Sequence, residues 1–427
     1  MRNFIVINCK NGVSPHHKLR KEGDGRAKAT IRERFVYKKS GNAYNKKNFL
    51  SETGRESAAA WPWFRGVSRT YGSAGTCGGG ILLNRLLVIF TGGTIASGFA
   101  GQGKAPLSEA SLRLKDSLSE LFAERGVEAL FRAPLGNPGL DSSELDPGHW
   151  ALLSRCIAEE LEKGLSGVLI LHGTDTMACT AAWLSLCFGN LPIPVILTGS
   201  QLTLDYMPED VTSNLRGAAT ACCSGLRGVW VYFNWKLIPG DRAHKAHAMH
   251  PDAFAAVNGQ PLFFNPDWAL ESPEKGERRA DRTMLPAEMD ALLSEPPEEI
   301  RRRCAHISWL FAQPGIRPRL QGDERFLCLL GYGAGNMIPS VLDLVEGGYE
   351  NGAKPLILAC SQAEGGVKHP DGYDRVGMAR LARKGFRVWN QMDRSVEFIH
   401  SLCCYALAAA PEDPCLVLGR YLKECRA

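Results

Sequence analysis

The chain has 427 residues, 44% hydrophobic and 22% charged, long enough for two ordinary domains and globular rather than disordered in composition. No apolar run reaches the ~18–20 residues a membrane span needs, so no membrane partner is expected. The formal net charge of +5 is uneven: residues 1–80 carry 16 Lys and Arg against 5 Asp and Glu, leaving 34 against 40 for the remainder.

Residues 1–85 show no sustained period of 2 or 3.6 and include the glycine-rich YGSAGTCGGG at 71–80. They lack the apolar region and small-residue cleavage site of a secretory signal. The segment reads as a basic leader, disordered or translated from a misplaced start. A nucleic-acid-binding arm and an organelle transit peptide are the alternatives, the five acidic residues counting against the second. No nucleic-acid partner is expected for the folded part.

From Leu86 onward, short apolar runs bounded by Gly, Ser or Thr alternate with segments of helical length. The runs are 86–90, 167–171, 194–198 and 228–233; the stretch 147–163 opens with Pro147 after Asp146, as a capped helix does. This alternation predicts βαβ units around a parallel sheet, with ligands beyond the carboxyl ends of its strands. Those ends carry Thr91-Gly-Gly-Thr94, His172-Gly-Thr-Asp-Thr176 and Thr198-Gly-Ser200, and the fourth leads toward Asp241, Arg242 and Lys245. Singly, each is a turn residue, a helix cap or a surface charge. Together they put hydroxyls, a carboxylate and a lysine at one edge of one sheet.

Residues 265–302 are charged and read as a linker with a helix or two. From 303 to 427 the runs 326–331, 355–360 and 386–390 again alternate with helices, which predicts a smaller α/β domain. The expected division is therefore 1–85 leader, 86–264 N-terminal catalytic α/β domain, 265–302 linker and 303–427 C-terminal domain. The 14 cysteines include no C-x-x-C pair, so they read mostly as reduced, buried apolar residues of a cytoplasmic protein, with no metal site expected.

Gly98 to Lys104 spells G-x-x-x-x-G-K, the outline of a phosphate loop. Such a loop needs Ser or Thr after its lysine to hold magnesium, and a helix opening at the phosphates. Here Ala105 follows Lys104, and Pro106 comes two residues after the lysine. No nucleotide cofactor is inferred, and the stretch reads as a mobile lid.

Several blocks carry a more specific signal. TGGTIAS (91–97), LHGTDTMACTAAWLS (171–185), PVILTGSQ (194–201) and DRAHKAHAMHPDAF (241–254) resemble the signatures of the bacterial-type L-asparaginase family, nearest its cytoplasmic type I branch. LDSSELDPGHW (140–150), GYGAGN (331–336) and GGVKHPDGY (365–373) follow in the family's order, so the resemblance covers about 86–427. It implies a two-domain fold, with a larger N-terminal parallel-type sheet flanked by helices and a smaller C-terminal α/β domain. It also implies a threonine nucleophile at Thr94, poised by Thr174, Asp175 and Lys245. Ser142 matches the serine that holds the substrate's α-carboxylate, and Asp175 also binds the α-amino group. Ser143, Gly173 and Asn336 complete the expected binding set, Asn336 in a block that family members offer to a neighbouring subunit. A homodimer or homotetramer without cofactor is implied, acting on L-asparagine, with L-glutamine open as a second substrate.

The chemistry stands without the family. A threonine hydroxyl is a poor nucleophile at neutral pH and needs a base nearby. A lysine facing a carboxylate in a dehydrated pocket is one such device. Backbone N–H groups of the glycine turn are the expected oxyanion donors, a role worth ~3 kcal/mol. Many family members place a tyrosine in the loop after the nucleophile, commonly as Gly-Tyr. The matching stretch here is Gly103-Lys104, with no tyrosine between Thr91 and Trp150, so either another residue substitutes or activity is modified or lost. The 202–215 run also departs, retaining Asp210 and Asn214 and bringing Tyr206 as a candidate for the site. Two other readings remain: the asparaginase-like component of a tRNA-dependent amidotransferase, whose N-terminal extension should be a compact β-rich module, and a non-catalytic amino-acid-binding relative.

Overall fold

In the larger sheet, neighbouring residues of one strand belong to different cores. Leu87 and Ile89 of β1 (Asn84–Phe90) face one apolar cluster, whereas Leu86, Val88 and Phe90 face another. A strand buried on both sides reads as a continuous apolar run, which is why GVLIL, PVILT and GVWVYF stand out in the sequence. They form β5 (Gly167–Leu171), β6 (Pro194–Thr198) and β7 (Gly228–Phe233). The computed structural model describes residues 84–93, 97–100, 103–106, 108–202, 209–266, 286–350, 352–367, 373 and 375–425. The leader through residue 83, Thr94, Tyr206, the 267–285 part of the 265–302 stretch and the KHPDG of the last block lie outside these.

The short strands β2 (Ser97–Ala100) and β3 (Gly103–Pro106) pair antiparallel, with Phe99 opposite Lys104. Helix α1 (Ser108–Ala123) leads to β4 (Val127–Arg132), which pairs parallel with β1. After β7 the chain turns into β8 (Lys236–Pro239), antiparallel to it, and then into the hairpin β9 (Ala243–Lys245) and β10 (Phe254–Ala256). A two-residue strand, β11 (Leu262–Phe263), closes the sheet, whose order is β11-β8-β7-β6-β5-β1-β4. Chain order reverses at β1, since β4 lies on one side of it and β5 on the other. The crevice beyond the carboxyl ends of β1 and β5 is therefore the topological switch point, where ligands of such sheets collect.

Helix α2 (Pro147–Leu161) starts as the sequence predicts: Asp146 accepts from His149 N at 3.0 Å, His149 Nδ1 returns the bond to Asp146 N, and Pro147 occupies the first turn. Helix α3 (Met177–Phe188) is apolar nearly all round. A helix of that kind must be covered on every side, and it lies in the core shared with the second sheet. Helix α4 (Val211–Cys222) covers the opposite face of the large sheet with α1.

The smaller sheet runs β12 (Ile307–Phe311), β13 (Phe326–Gly331), β14 (Leu356–Ser361) and β15 (Val388–Asn390) in parallel, ending on the antiparallel β16 (Lys423–Glu424). Its helices are α7 (Pro339–Gly348), α8 (Ala379–Arg383), α9 (Val396–Ala409) and α10 (Pro414–Tyr421). Between the sheets come α5 (Pro286–Ser294) and α6 (Pro297–Cys304), whose Met289, Leu292 and Ile300 are buried in the common core. Phe326, Cys328, Leu330, Leu358 and Cys360 join that core from the small sheet. The fold is the two-sheet α/β architecture expected. No described helix is long and apolar enough to cross a membrane. Half of the described cysteines (Cys187, Cys222, Cys328, Cys360, Cys403 and Cys404) are buried, and none of those described is in a disulfide. Burial pushes the Cys179 and Cys187 thiols up to about 12.

Candidate active site at the sheet switch point

Three loops meet backbone to backbone at the carboxyl ends of β1 and β5. Thr91 N donates to Leu171 O at 3.1 Å, Leu140 N to Thr91 O at 2.8 Å, and Gly93 N to Leu140 O at 3.2 Å. Gly93 has φ +81°, and a Cβ there would stand 2.3 Å from Gly173 Cα. A Cβ on Gly173 would stand 2.5 Å from Ser142 Oγ. Glycine at both positions is what lets the 91–93, 139–143 and 172–175 segments touch.

The Thr91 hydroxyl is buried and donates to Leu171 O at 3.0 Å, so it seals the end of the strand pair. The N–H groups of Thr91 and Gly93 are also spent on Leu171 and Leu140, which removes both as oxyanion donors. Thr94 lies outside the described residues.

Lys245, at the end of β9, reaches Thr174 and Asp175 beyond β5. Its Nζ is 2.6 Å from Asp175 Oδ1 and 2.9 Å from Thr174 Oγ1. Thr174 is buried, whereas the Asp175 side chain is 59% exposed against 20% for Lys245. In a single chain, then, the pair is not dehydrated: the carboxylate faces water on the side away from the lysine.

Ser142 belongs to a single 3-10 turn, Ser142–Glu144, capped by Asp141. It is 3% exposed; its Oγ accepts from Asp175 N at 3.2 Å and its carbonyl from Thr176 Oγ1 at 2.6 Å. Ser143 turns the other way, with both its N and Oγ on Asp141 Oδ1 at 2.9 and 2.8 Å. Asn336 sits in the turn after β13, where its N and O both bond main-chain atoms of Tyr332. Thus Ser142, Gly173, Thr174, Asp175 and Lys245 come together, and Ser143 and Asn336 do not bond to them.

Other strand-end groups have structural work instead. His172 is fully buried, with Nε2 at 2.9 Å from Thr180 Oγ1, and burial lowers its pKa to about 4, so it stays neutral. Thr198 Oγ1 donates to Tyr232 O at 2.8 Å. Asp241 and Arg242 do not enter the crevice as the sequence suggests. Asp241 pairs with Arg394 at 2.6 Å and Arg242 with Asp393 at 2.7 Å, because the antiparallel β8 carries these residues to the loop between β15 and α9 before the chain returns to Lys245.

A residue to which the sequence assigns no role does enter. Gln201 Oε1 accepts from Thr174 Oγ1 at 3.3 Å, while its Nε2 donates to Ala248 O at 3.0 Å. Asp210 and Asn214, the residues retained in the divergent stretch, are its supports: Asp210 accepts from Gln201 N and Leu202 N at 2.9 Å each, and Asn214 Nδ2 donates to Gly199 O at 3.0 Å.

The chain is similar to several known proteins. The family described as Asparaginase, N-terminal, matches residues 85–268. The L-asparaginase of Thermococcus kodakarensis is 33% identical over 289 residues, 66% of this chain and 82% of that one. Its solved structure superposes with a TM-score of 0.60 at 27% identity, covering 78% of this chain and 96% of that one. L-asparaginase 1 of Escherichia coli K12 is 36% identical over 178 residues, 42% of this chain and 52% of that one. A glutamyl-tRNA(Gln) amidotransferase component of Methanosarcina barkeri is 32% identical over 187 residues, 42% of this chain and 43% of that one.

Proposed function

Because this chain belongs to the asparaginase family, we propose that it is an L-asparaginase, hydrolysing L-asparagine to L-aspartate and ammonia with Thr94 as nucleophile. The observation that carries the reading is Lys245 Nζ, held at 2.6 Å from Asp175 and 2.9 Å from Thr174 at the sheet's switch point. Gly93, the residue before Thr94, is packed on Gly173, the residue before Thr174.

In this mechanism the Thr94 oxygen attacks the side-chain amide carbon of asparagine. Its proton leaves through the Thr174 and Lys245 group, directly or by way of a water, and passes to the departing ammonia. Water then attacks the acyl-threonine ester; the same group takes the water's proton and returns it to the Thr94 oxygen as the ester C–O bond breaks, and aspartate leaves. Ser142 binds the α-carboxylate: its oxygen accepts from Asp175 N, which leaves its hydrogen for the substrate. Asp175 keeps one oxygen on Lys245 and presents the other to the α-amino group. Ser143, Gly173 and Asn336 complete the binding set, Asn336 from a second copy in a homo-oligomer, which would also cover the open side of Asp175. Glutamine, one methylene longer, is expected to be the weaker substrate, a difference worth ~1–3 kcal/mol.

The test is steady-state ammonia release from L-asparagine. Thr94→Ala and Lys245→Ala should each lower kcat by roughly a hundredfold or more with the fold intact. Release by both variants at the unmutated rate would overturn the assignment of the site. A second reading, a component that supplies ammonia within an amidotransferase, is favoured by the similarity to the Methanosarcina barkeri protein.

A further inference from the structure

Gln201 stands between Thr174 and the loop that follows Lys245. Its Nε2 lies 3.0 Å from Ala248 O, 3.3 Å from His250 O and 3.4 Å from His247 O. Carbonyl oxygens only accept, so the amide NH2 must face these three and Oε1 must face Thr174. That amide oxygen also only accepts, which commits Thr174's single hydroxyl hydrogen to Gln201 at 3.3 Å. Lys245 Nζ, 2.9 Å from the same hydroxyl, is then necessarily its donor. The hydrogen-bond chain has one direction, from Lys245 through Thr174 to Gln201.

The side chain is not free to reverse this order. Asp210 grips the main chain at Gln201 and Leu202 with both carboxylate oxygens, 2.9 Å each, and is itself held by Asn214 Nδ2 at 3.3 Å. Asn214 Oδ1 accepts from Asn234 N at 2.9 Å, which fastens the assembly to the end of β7.

Resting on the active-site reading above, we propose that Gln201 is a positioning residue: it holds the Thr174 hydroxyl with its hydrogen turned away from Lys245, so that the threonine oxygen presents its lone pairs to the lysine.

Two measurements test this. Neutron diffraction from deuterium-exchanged crystals of the full chain should place the Thr174 deuterium on the line to Gln201 Oε1. Density on the line to Lys245 overturns the proposal, and this readout is independent of activity, so a chain that releases no ammonia sinks the asparaginase reading without deciding this one. The second measurement compares Gln201→Met, which keeps size and loses both polar ends, with Gln201→Glu, which keeps an acceptor for Thr174 and loses the donors to the three carbonyls. Per folded molecule, Gln201→Met should lose roughly ten- to a hundredfold in kcat with KM changed less than about threefold. Gln201→Glu should recover most of that kcat despite a lower melting temperature. A purely structural bridge gives the opposite ranking, and wild-type kcat in Gln201→Met, or equal kcat in the two variants, overturns the role.

Discussion

At Gly93 the space for a side chain is already filled by backbone. The position combines φ +81° with Gly173 N at 2.4 Å and Gly173 Cα at 2.3 Å from where a Cβ would sit. No flexible side chain can yield there, so Gly93→Ala must separate the β1 and β5 loops. An expected cost of about 2–4 kcal/mol follows from the strained φ and the clash, to be read from the urea midpoint, with ammonia release falling further than stability because the shift lies next to Thr94. An unchanged midpoint would contradict the close packing described. At this scale Thr174 and Asp175 were legible, because a hydroxyl and a carboxylate directly after a strand of a parallel sheet lie at its ligand edge, and Lys245 was legible only as a group further on from the fourth strand, which the hairpin β9–β10 brings to that edge. Gln201 was not, since a glutamine after Thr-Gly-Ser is an ordinary loop residue until Ala248 is seen to fix its amide. Asp241 and Arg242 misled for the converse reason: proximity to Lys245 in sequence suggests a shared site, and the antiparallel turn sends them to Arg394 and Asp393 instead.

Among the elements, the hairpin β9–β10 matters most, since it carries Lys245, packs on α3 and meets α9 through His244. His244 Nδ1 meets Glu397 Oε1 at 2.6 Å, next to Lys245 in sequence. The hydrogen bond to Glu397, with the charges of Glu397 and Glu364, raises the His244 pKa above its ordinary 6.5 against the opposing effect of burial. A raised folded-state pKa means that this contact stabilises fully below about 6.5 and that the contribution is lost as pH climbs through the folded value. The melting temperature of His244→Gln should therefore lag the unmutated protein at pH 5.5 and approach it by pH 8.5; a gap that widens with pH would contradict the assignment. Half exposure of the ring keeps the effect small. The buried strands β5, β6 and β7 were readable as apolar runs. Among the strands that escaped notice, β4 and β12 lie at sheet edges and are only partly buried, so VEALFR and ISWLF carry no two-sided apolar signature.

For the whole molecule, the two sheets are joined rather than strung together. Helix α3 and helix α9 lie in one core with residues of both sheets, and the Arg242–Asp393 and Asp241–Arg394 pairs bind the loop before Lys245 to the loop before α9. The two-sheet architecture was legible in the alternation of strands and helices. The closeness of the sheets was not, because contacts between α3 and α9 join residues more than two hundred positions apart, such as Ser401 Oγ on Cys179 O. This construction makes Lys245 answerable to the small sheet as well as the large one. It also frames the choice between an enzyme complete in itself and a component that works only with a partner. The most direct measurement is ammonia release from free L-asparagine by the purified full chain, with neither tRNA nor any other protein present. The expected result is sustained release over many turnovers, and release that appears only when an amidotransferase partner and its tRNA are supplied would contradict it.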